Sequence, residues 1–365
     1  MREHFHVPDN YFLSHSVGCL PRTAPDRLGR DYLEQWKTHG GDAWPGWLDV
    51  LDTFRARLGA LLGSPARNLC PQTNISSGLT KLLYSLPAPS AKPTILCSPE
   101  DFPTTGFVFK QAERMGFRVK FIQGDASDLD AWTEAFDDSV GLFHITHAFS
   151  NTSKLAPVAE LCALARARGA ISVVDIAQSA GAIPVDLDLW QPDFALGTGV
   201  KFLCFGPGAC FLYASDEMIE TCAPLDVGWF SHEQPFEMDI HSFRYADSAM
   251  RFFGGTPSPA PFVLANAALD LWEKLSSERV QARIQYHLDR LCAAVSDEIL
   301  VSPRTSGARG GAFVINPPDR APLREALATQ NIHRDERKEG FRFSVHAYTD
   351  EREIDGLIEL FRRIQ

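Results

Sequence analysis

What most limits the folds open to this chain is an alternation: between about residues 50 and 215, short apolar runs take turns with stretches of helical periodicity. Strands buried on both faces are apolar throughout, whereas the helices that cover them keep a polar side, so the pattern specifies a mainly parallel sheet with helices on both faces. Residues 94–97, 117–122, 141–146, 171–174, 193–196 and 209–213 are predicted strands. Leu51, Phe54, Leu58, Leu61 and Leu62 recur at helix spacing and Gly63 supplies a stop, while residues 158–168 read as a crossover helix ended by Gly169. From Pro261 the helices lengthen, first over 262–275 and then in a stripe of Ile284, Leu288, Leu291 and Val295. Predicted strands at 311–315 and 341–345 and a helix over 351–363 follow. A chain of 365 residues is long for one core. The expected division is an N-terminal segment (1–22) serving the small domain and active site, a large domain (23–260), and a smaller α+β domain (261–365).

Charge and cysteine usage narrow the function. The 35 basic residues are outnumbered by 46 acidic ones and form no block, so the electrostatic footprint of a nucleic-acid binder is missing. Eight scattered cysteines without a C-x-x-C pair fit a reducing compartment. The start lacks a basic region followed by an apolar run, and no apolar stretch approaches the ~20 residues of a membrane span, so the expectation is cytoplasmic. His144, His147 and His232 do not make a metal-ligand pattern. No G-x-G-x-x-G turn follows a first strand, which counts against a nicotinamide enzyme.

Two segments carry chemistry. Val173-Val-Asp-Ile-Ala-Gln-Ser-Ala-Gly181 is an apolar strand that delivers Asp175 and Gln178 at its far end, where open parallel sheets bind ligands. Asp193-Phe-Ala-Leu-Gly-Thr-Gly-Val-Lys201 is a second strand running into a small-residue turn that ends in a lysine. The separation, 201 minus 175, is 26 residues, room for one connection and one strand, so both ends can face one pocket. An aspartate at a strand end is by itself more often a helix cap, and a lone lysine a solvated side chain. Together they suit pyridoxal 5′-phosphate (PLP). A desolvated lysine amine forms an imine with that cofactor, and a buried carboxylate keeps its ring nitrogen protonated.

These segments resemble the fold-type I PLP enzymes of aminotransferase class V, and among them kynureninase most. The likeness runs through Asp175-x-Ala-Gln178, Lys201-Phe-Leu-Cys-Phe-Gly-Pro-Gly-Ala-Cys-Phe-Leu-Tyr213, Tyr11-Phe-Leu-Ser-His-Ser-Val-Gly18, Asp101-Phe-Pro-Thr104, Gly228-Trp-Phe-Ser-His232, Gly255-Thr-Pro257 and Arg342-Phe-Ser-Val-His-Ala-Tyr348. The resemblance implies that Lys201 and Asp175 are catalytic and that Phe102 stacks on the pyridine ring. Thr73, Asn74 and Ile75 at a helix start and the Thr198 hydroxyl would hold the phosphate, and Gln178 the ring hydroxyl. Trp229 and Thr256 would also reach the phosphate, Thr256 from a neighbouring subunit, which implies a homodimer with shared sites. Arg342 would grip the substrate carboxylate.

The chain departs from kynureninase where Val200 stands for a tyrosine, Gln178 for a histidine and Thr105 for an aspartate, and the asparagine that many class V members place near the cofactor hydroxyl falls on Ser150, beside Asn151. Cysteine desulfurases place a nucleophilic cysteine shortly before the carboxylate-binding arginine; residues 330–340 contain none, and the last cysteine is Cys292. The implied activity is conversion of a small amino acid by removal of its α proton. Kynureninase-like hydrolytic Cβ–Cγ cleavage, transamination and β elimination share that step. The non-enzymatic rival is a degenerate PLP-fold binding protein, against which the joint presence of Asp175 and Lys201 argues.

Overall fold

A computed structural model describes residues 1–87 and 91–364. Its twelve strands are β1 (Phe5–His6), β2 (Leu20–Pro21), β3 (Leu69–Gln72), β4 (Thr94–Cys97), β5 (Arg118–Phe121), β6 (Val140–Thr146), β7 (Ile171–Asp175), β8 (Phe194–Thr198), β9 (Cys210–Ala214), β10 (Ala312–Ile315), β11 (Asp335–Arg337) and β12 (Gly340–Ser344). Seven of them form the large sheet in the order β3-β9-β8-β7-β6-β4-β5. The pairs β4/β5, β4/β6, β6/β7 and β7/β8 are parallel, and β9 runs antiparallel to both β8 and β3. All six strands predicted in this region form, within about two residues of their expected ends. β3 escapes the apolar-run criterion because Pro71 interrupts it; a residue without an N–H fits only an edge, and β3 is the edge beside β9.

The chain passes from β4 outward to β5 and returns across β4 to β6. The connections after β4 and β6 therefore diverge and open a crevice at the carboxyl edge of the sheet, the usual seat of a ligand in such folds. Helices cover the sheet by burying one stripe each. In the helix Trp44–Leu62 the buried residues include Leu51, Phe54, Leu58 and Leu62, and Gly63 ends it at φ +68°, the left-handed conformation the stop requires. The helix Ile75–Leu83 turns Leu79, Leu82 and Leu83 inward.

A second, three-stranded antiparallel sheet, β10-β12-β11, packs with the helices Ser277–Ala293 and Glu351–Ile364. β11 reads Asp-Glu-Arg, which carries no apolar signal, and it was not among the predicted strands. The helix Ala260–Leu275 leans back on the large sheet's helices, with the Phe54 and Phe262 rings 4.8 Å apart and Trp272 Nε1 donating to the Leu203 carbonyl at 3.1 Å.

The first twenty residues tie the parts together. Phe12 N donates to the His333 carbonyl at 3.0 Å, the Phe12 carbonyl accepts from Ser344 N at 2.8 Å, and Gly18 N donates to the Val200 carbonyl at 2.7 Å. A Cβ on Gly18 would lie 2.0 Å from the Lys201 carbonyl oxygen and 2.7 Å from Cys204 Sγ. Gly18→Ala must therefore push the Lys201 turn away. The expected result is a loss of ~1–3 kcal/mol of stability, the usual cost of overpacking, in denaturant unfolding. Cofactor capture by the same variant should be slower than in the parent protein.

Candidate active site

Asp175 closes β7, and its neighbours in register are Thr146 at the end of β6 and Leu196 in β8. Thr198 ends β8 opposite Cys210, the first residue of β9. Lys201 follows in the turn after β8, because Gly199 and Val200 carry the chain around: a Cβ on Gly199 would stand 2.0 Å from the Phe205 ring, so only glycine fits there. These ends surround one cavity of about 240 Å³, walled by Asn74, Ile75, Phe102, Asp175, Gln178, Thr198 and Lys201, together with Thr146, Ser150 and Cys210. The amine and the acid predicted to converge do line the same space.

Each charge in the cavity is tuned by burial. The Asp175 carboxylate is buried and takes only the Ala177 N–H, at 2.8 Å, from the protein. Burial pushes its pKa up, against the pull of His144 and Lys201. Burial also lowers the Lys201 amine to about 8, opposed by Asp175 and aided by the positive charges of Arg342 and Arg337. The amine is thus substantially neutral near pH 8, as a nucleophile must be.

Beneath Asp175 lies a pair that the sequence reading did not single out. His144 Nδ1 is 2.9 Å from Asp101 Oδ2, and Thr146 Oγ1 donates to Asp101 Oδ1 at 2.7 Å. Against the cost of burial, Asp101 holds His144 above its ordinary pKa. The same bonds pin the residue before Phe102. The Phe102 ring is 39% exposed, so a face is free for a stacking partner, and Lys201 Nζ lies 5.7 Å from its centre.

The helix start that the sequence reading gave to the phosphate borders the cavity. Asn74 caps the helix Ile75–Leu83 by accepting from Ser77 N at 2.8 Å and from Ser76 Oγ at 2.7 Å. The N–H groups of Ile75 and Ser76 have no intrahelical acceptor, so they remain available to an anion. Thr198 Oγ1 accepts from Cys210 Sγ at 3.1 Å. Thr73 stands just outside the cavity wall, and its Oγ1 accepts from Asn74 Nδ2 at 3.3 Å. Gln178 lines the wall with its Nε2 tied to the His15 carbonyl at 3.2 Å.

Besides Thr73, three predicted residues lie off this wall. Trp229 Nε1 donates to Thr256 Oγ1 at 3.3 Å, so these two meet each other away from the chain's own cavity. Arg342, with 1% of its side chain exposed, donates from Nε to Asp335 Oδ1 at 2.8 Å and from Nη2 to Asp335 Oδ2. Arg337, one strand over in β11, comes within 5.7 Å of the Phe102 ring centre. It lay in a polar tripeptide without a family motif, and only the pairing of Asp335 with Arg342 across β11 and β12 brings it to the site.

A family model for aminotransferase class V matches residues 75–357. The chain belongs to the class V aminotransferase family. Within the family, the kynureninase of Deinococcus radiodurans is 32% identical over 281 residues, covering 74% of this chain and 68% of that protein. The Pseudomonas fluorescens kynureninase is 24% identical over 358 residues, covering 93% and 85%. Among solved structures, a C-DES mutant with glycine covalently linked to its PLP cofactor superposes with a TM-score of 0.87 at 22% identity, covering 99% of both chains. The apo cysteine desulfurase of Thermococcus onnurineus NA1 gives 0.85 at 20% identity, covering 97% and 94%. At these identities the structures speak for the fold, which is that of the fold-type I PLP enzymes. This class V chain is a PLP-dependent enzyme. Its residues fit the cofactor: a buried, under-bonded carboxylate, a buried amine, an open aromatic face and a helix start with free N–H groups share one cavity.

Proposed function

We propose that the protein breaks a bond in the side chain of a small amino acid by kynureninase-like hydrolysis at Cβ–Cγ. The observation that carries this reading is the convergence of Lys201, Asp175 and Phe102 on one cavity, in a chain 32% identical to a kynureninase. When bound, PLP supplies a ring that accepts electrons from the carbon beside the substrate's amine. The protein's own residues set up that transfer. Lys201 would hold the cofactor, and its neutral amine would take the α proton of the substrate. Asp175 holds positive charge at the ring nitrogen, and Phe102 covers the ring and keeps water off one face. The start of the helix Ile75–Leu83 and Thr198 receive the phosphate, and Gln178 the ring hydroxyl. Arg342 and Arg337 bring positive charge to the end of the cavity beside Ser150, where a carboxylate belongs.

The reading extends to a homodimer. Leu225, Val227, Phe236, Met238, Ile240 and Phe243 are exposed in the segment around Trp229, apolar side chains that a partner surface would cover. A second copy covering it would bring Trp229 and Thr256 toward the partner's phosphate site.

The substrate is tested by offering the holoenzyme kynurenine, 3-hydroxykynurenine and the common amino acids, and following anthranilates, keto acids and ammonia. Release of an anthranilate at ordinary rates, ~1–10³ per second, is the expected result. Keto acid formed together with the amine form of the cofactor would show transamination instead, and ammonia with a keto acid would show β elimination.

A further inference from the structure

Two guanidinium groups and one carboxylate meet beside the cavity, and their charges do not cancel. Arg342 commits its Nε and Nη2 to the two oxygens of Asp335 and its Nη1 to the Ser150 carbonyl, and only 1% of its side chain is exposed. The edge of the guanidinium that fits a carboxylate is therefore already filled. His15 Nε2 lies 3.2 Å from the same Asp335, and despite burial, hydrogen bonds from His15 and Arg342 hold that carboxyl well below the usual range. Removing Arg342 from Asp335 would strand a half-buried anion, which such pairs resist.

Arg337 is differently placed. Its side chain is 32% exposed, and the nearest carboxylate oxygen, Asp335 Oδ2, is 3.8 Å from its Nε and already bonded to Arg342. Its Nη1 donates to neutral acceptors, Asn151 Oδ1 at 2.8 Å and Ser150 Oγ at 3.3 Å. Its Nη2 has no hydrogen-bond partner among the described residues. Ser150 and Phe102, which it touches, are both cavity walls. An unmatched planar cation is thus held at the rim of the site by neutral groups that orient it and leave its charge free.

We propose that Arg337 is the side chain that receives the carboxylate of the substrate, with Arg342 fixed behind it by Asp335. The proposal rests on reading the cavity as the seat of PLP and an amino acid. One arriving carboxylate brings the cluster to two cations and two anions, so the site selects substrates that carry that charge. Ser150 and Asn151 then act as positioning residues, holding the guanidinium plane that the carboxylate meets.

The test titrates the holoenzyme calorimetrically with benzoate, an aromatic carboxylate suited to a cavity walled by Phe102, and with uncharged benzamide. The parent protein is expected to bind benzoate at least roughly tenfold more tightly than benzamide. Arg337→Gln is expected to abolish that preference, and Arg337→Lys, which keeps the charge without the planar fork, to retain part of it. A parent without the preference, or an Arg337→Gln protein that keeps it, overturns the assignment. Should the glutamine variant fail to fold, an Arg337→Lys protein with the full parental preference overturns it as well. Borohydride trapping at Lys201 on the same samples separates the two readings. A missing adduct beside an Arg337-dependent preference sinks the cofactor reading and leaves the anion site standing.

Discussion

Lys201→Ala protein, treated with PLP and borohydride and then digested, yields no cofactor-bearing peptide, whereas the parent yields one centred on Lys201. Turnover of any amino-acid substrate falls by roughly 10²–10⁴ or more, since the variant loses both its tether and its α-proton acceptor. The pH dependence of capture gives the sign of the effect independently. Only the neutral amine attacks the cofactor's aldehyde, and burial has brought Lys201 down to about 8. Capture by cofactor-free parent protein therefore slows as pH falls through that value and saturates above it. A midpoint near an ordinary lysine's ~10.4 would mean that the amine is solvated and the pocket is not the one described. A Lys201→Ala protein that keeps the parental visible band and full activity would refute the assignment of Lys201 outright.

Asp175→Asn removes charge while keeping shape. Turnover is expected to fall by roughly 10²–10³, the usual cost of losing one preorganised electrostatic partner. The negative charge of Asp175 holds the Lys201 proton in place, so its loss should also move the capture midpoint further down in pH. Stability moves the other way. The buried carboxylate has its pKa raised in the folded protein, so the folded state binds more protons than the unfolded one above the ordinary carboxyl value, and stability falls as pH rises through that window. Burial of that carboxylate works against the charged form, so cofactor-free Asp175→Asn protein should melt no lower than the parent in a thermal scan. A lower melting temperature together with full turnover would show that Asp175 is structural.

The legible parts of this molecule were those where burial forces a pattern. The strands that end in Asp175 and Thr198 are buried almost throughout, and their apolar runs showed both the sheet and the edge at which its side chains emerge. The helix Val158–Arg168 shows its end through Gly169, which adopts φ +62°. The parts that escaped are held by other forces. β3 hides behind Pro71, and β11 is a polar strand whose place comes from its backbone ladder and the Asp335–Arg342 ion pair across to β12 rather than from a core. The same reason hid Arg337, since its importance lies in what Asp335 fails to neutralise, a balance among three side chains that only coordinates display. The Asp101–His144 pair joins residues 43 apart in sequence, so no local motif signalled it.

The bonds from Phe12 to His333 and Ser344 also have a consequence for how the pocket is assembled. Phe12 has its hydrogen-bonding partners more than three hundred positions away, so this segment settles only once the part of the chain that carries them is in place. Because Gly18 N donates to the Val200 carbonyl, the turn that carries Lys201 lacks this brace until then, even after the large sheet has formed. Loosening the Phe12 contacts should therefore slow capture of the cofactor at Lys201 while leaving the large sheet folded.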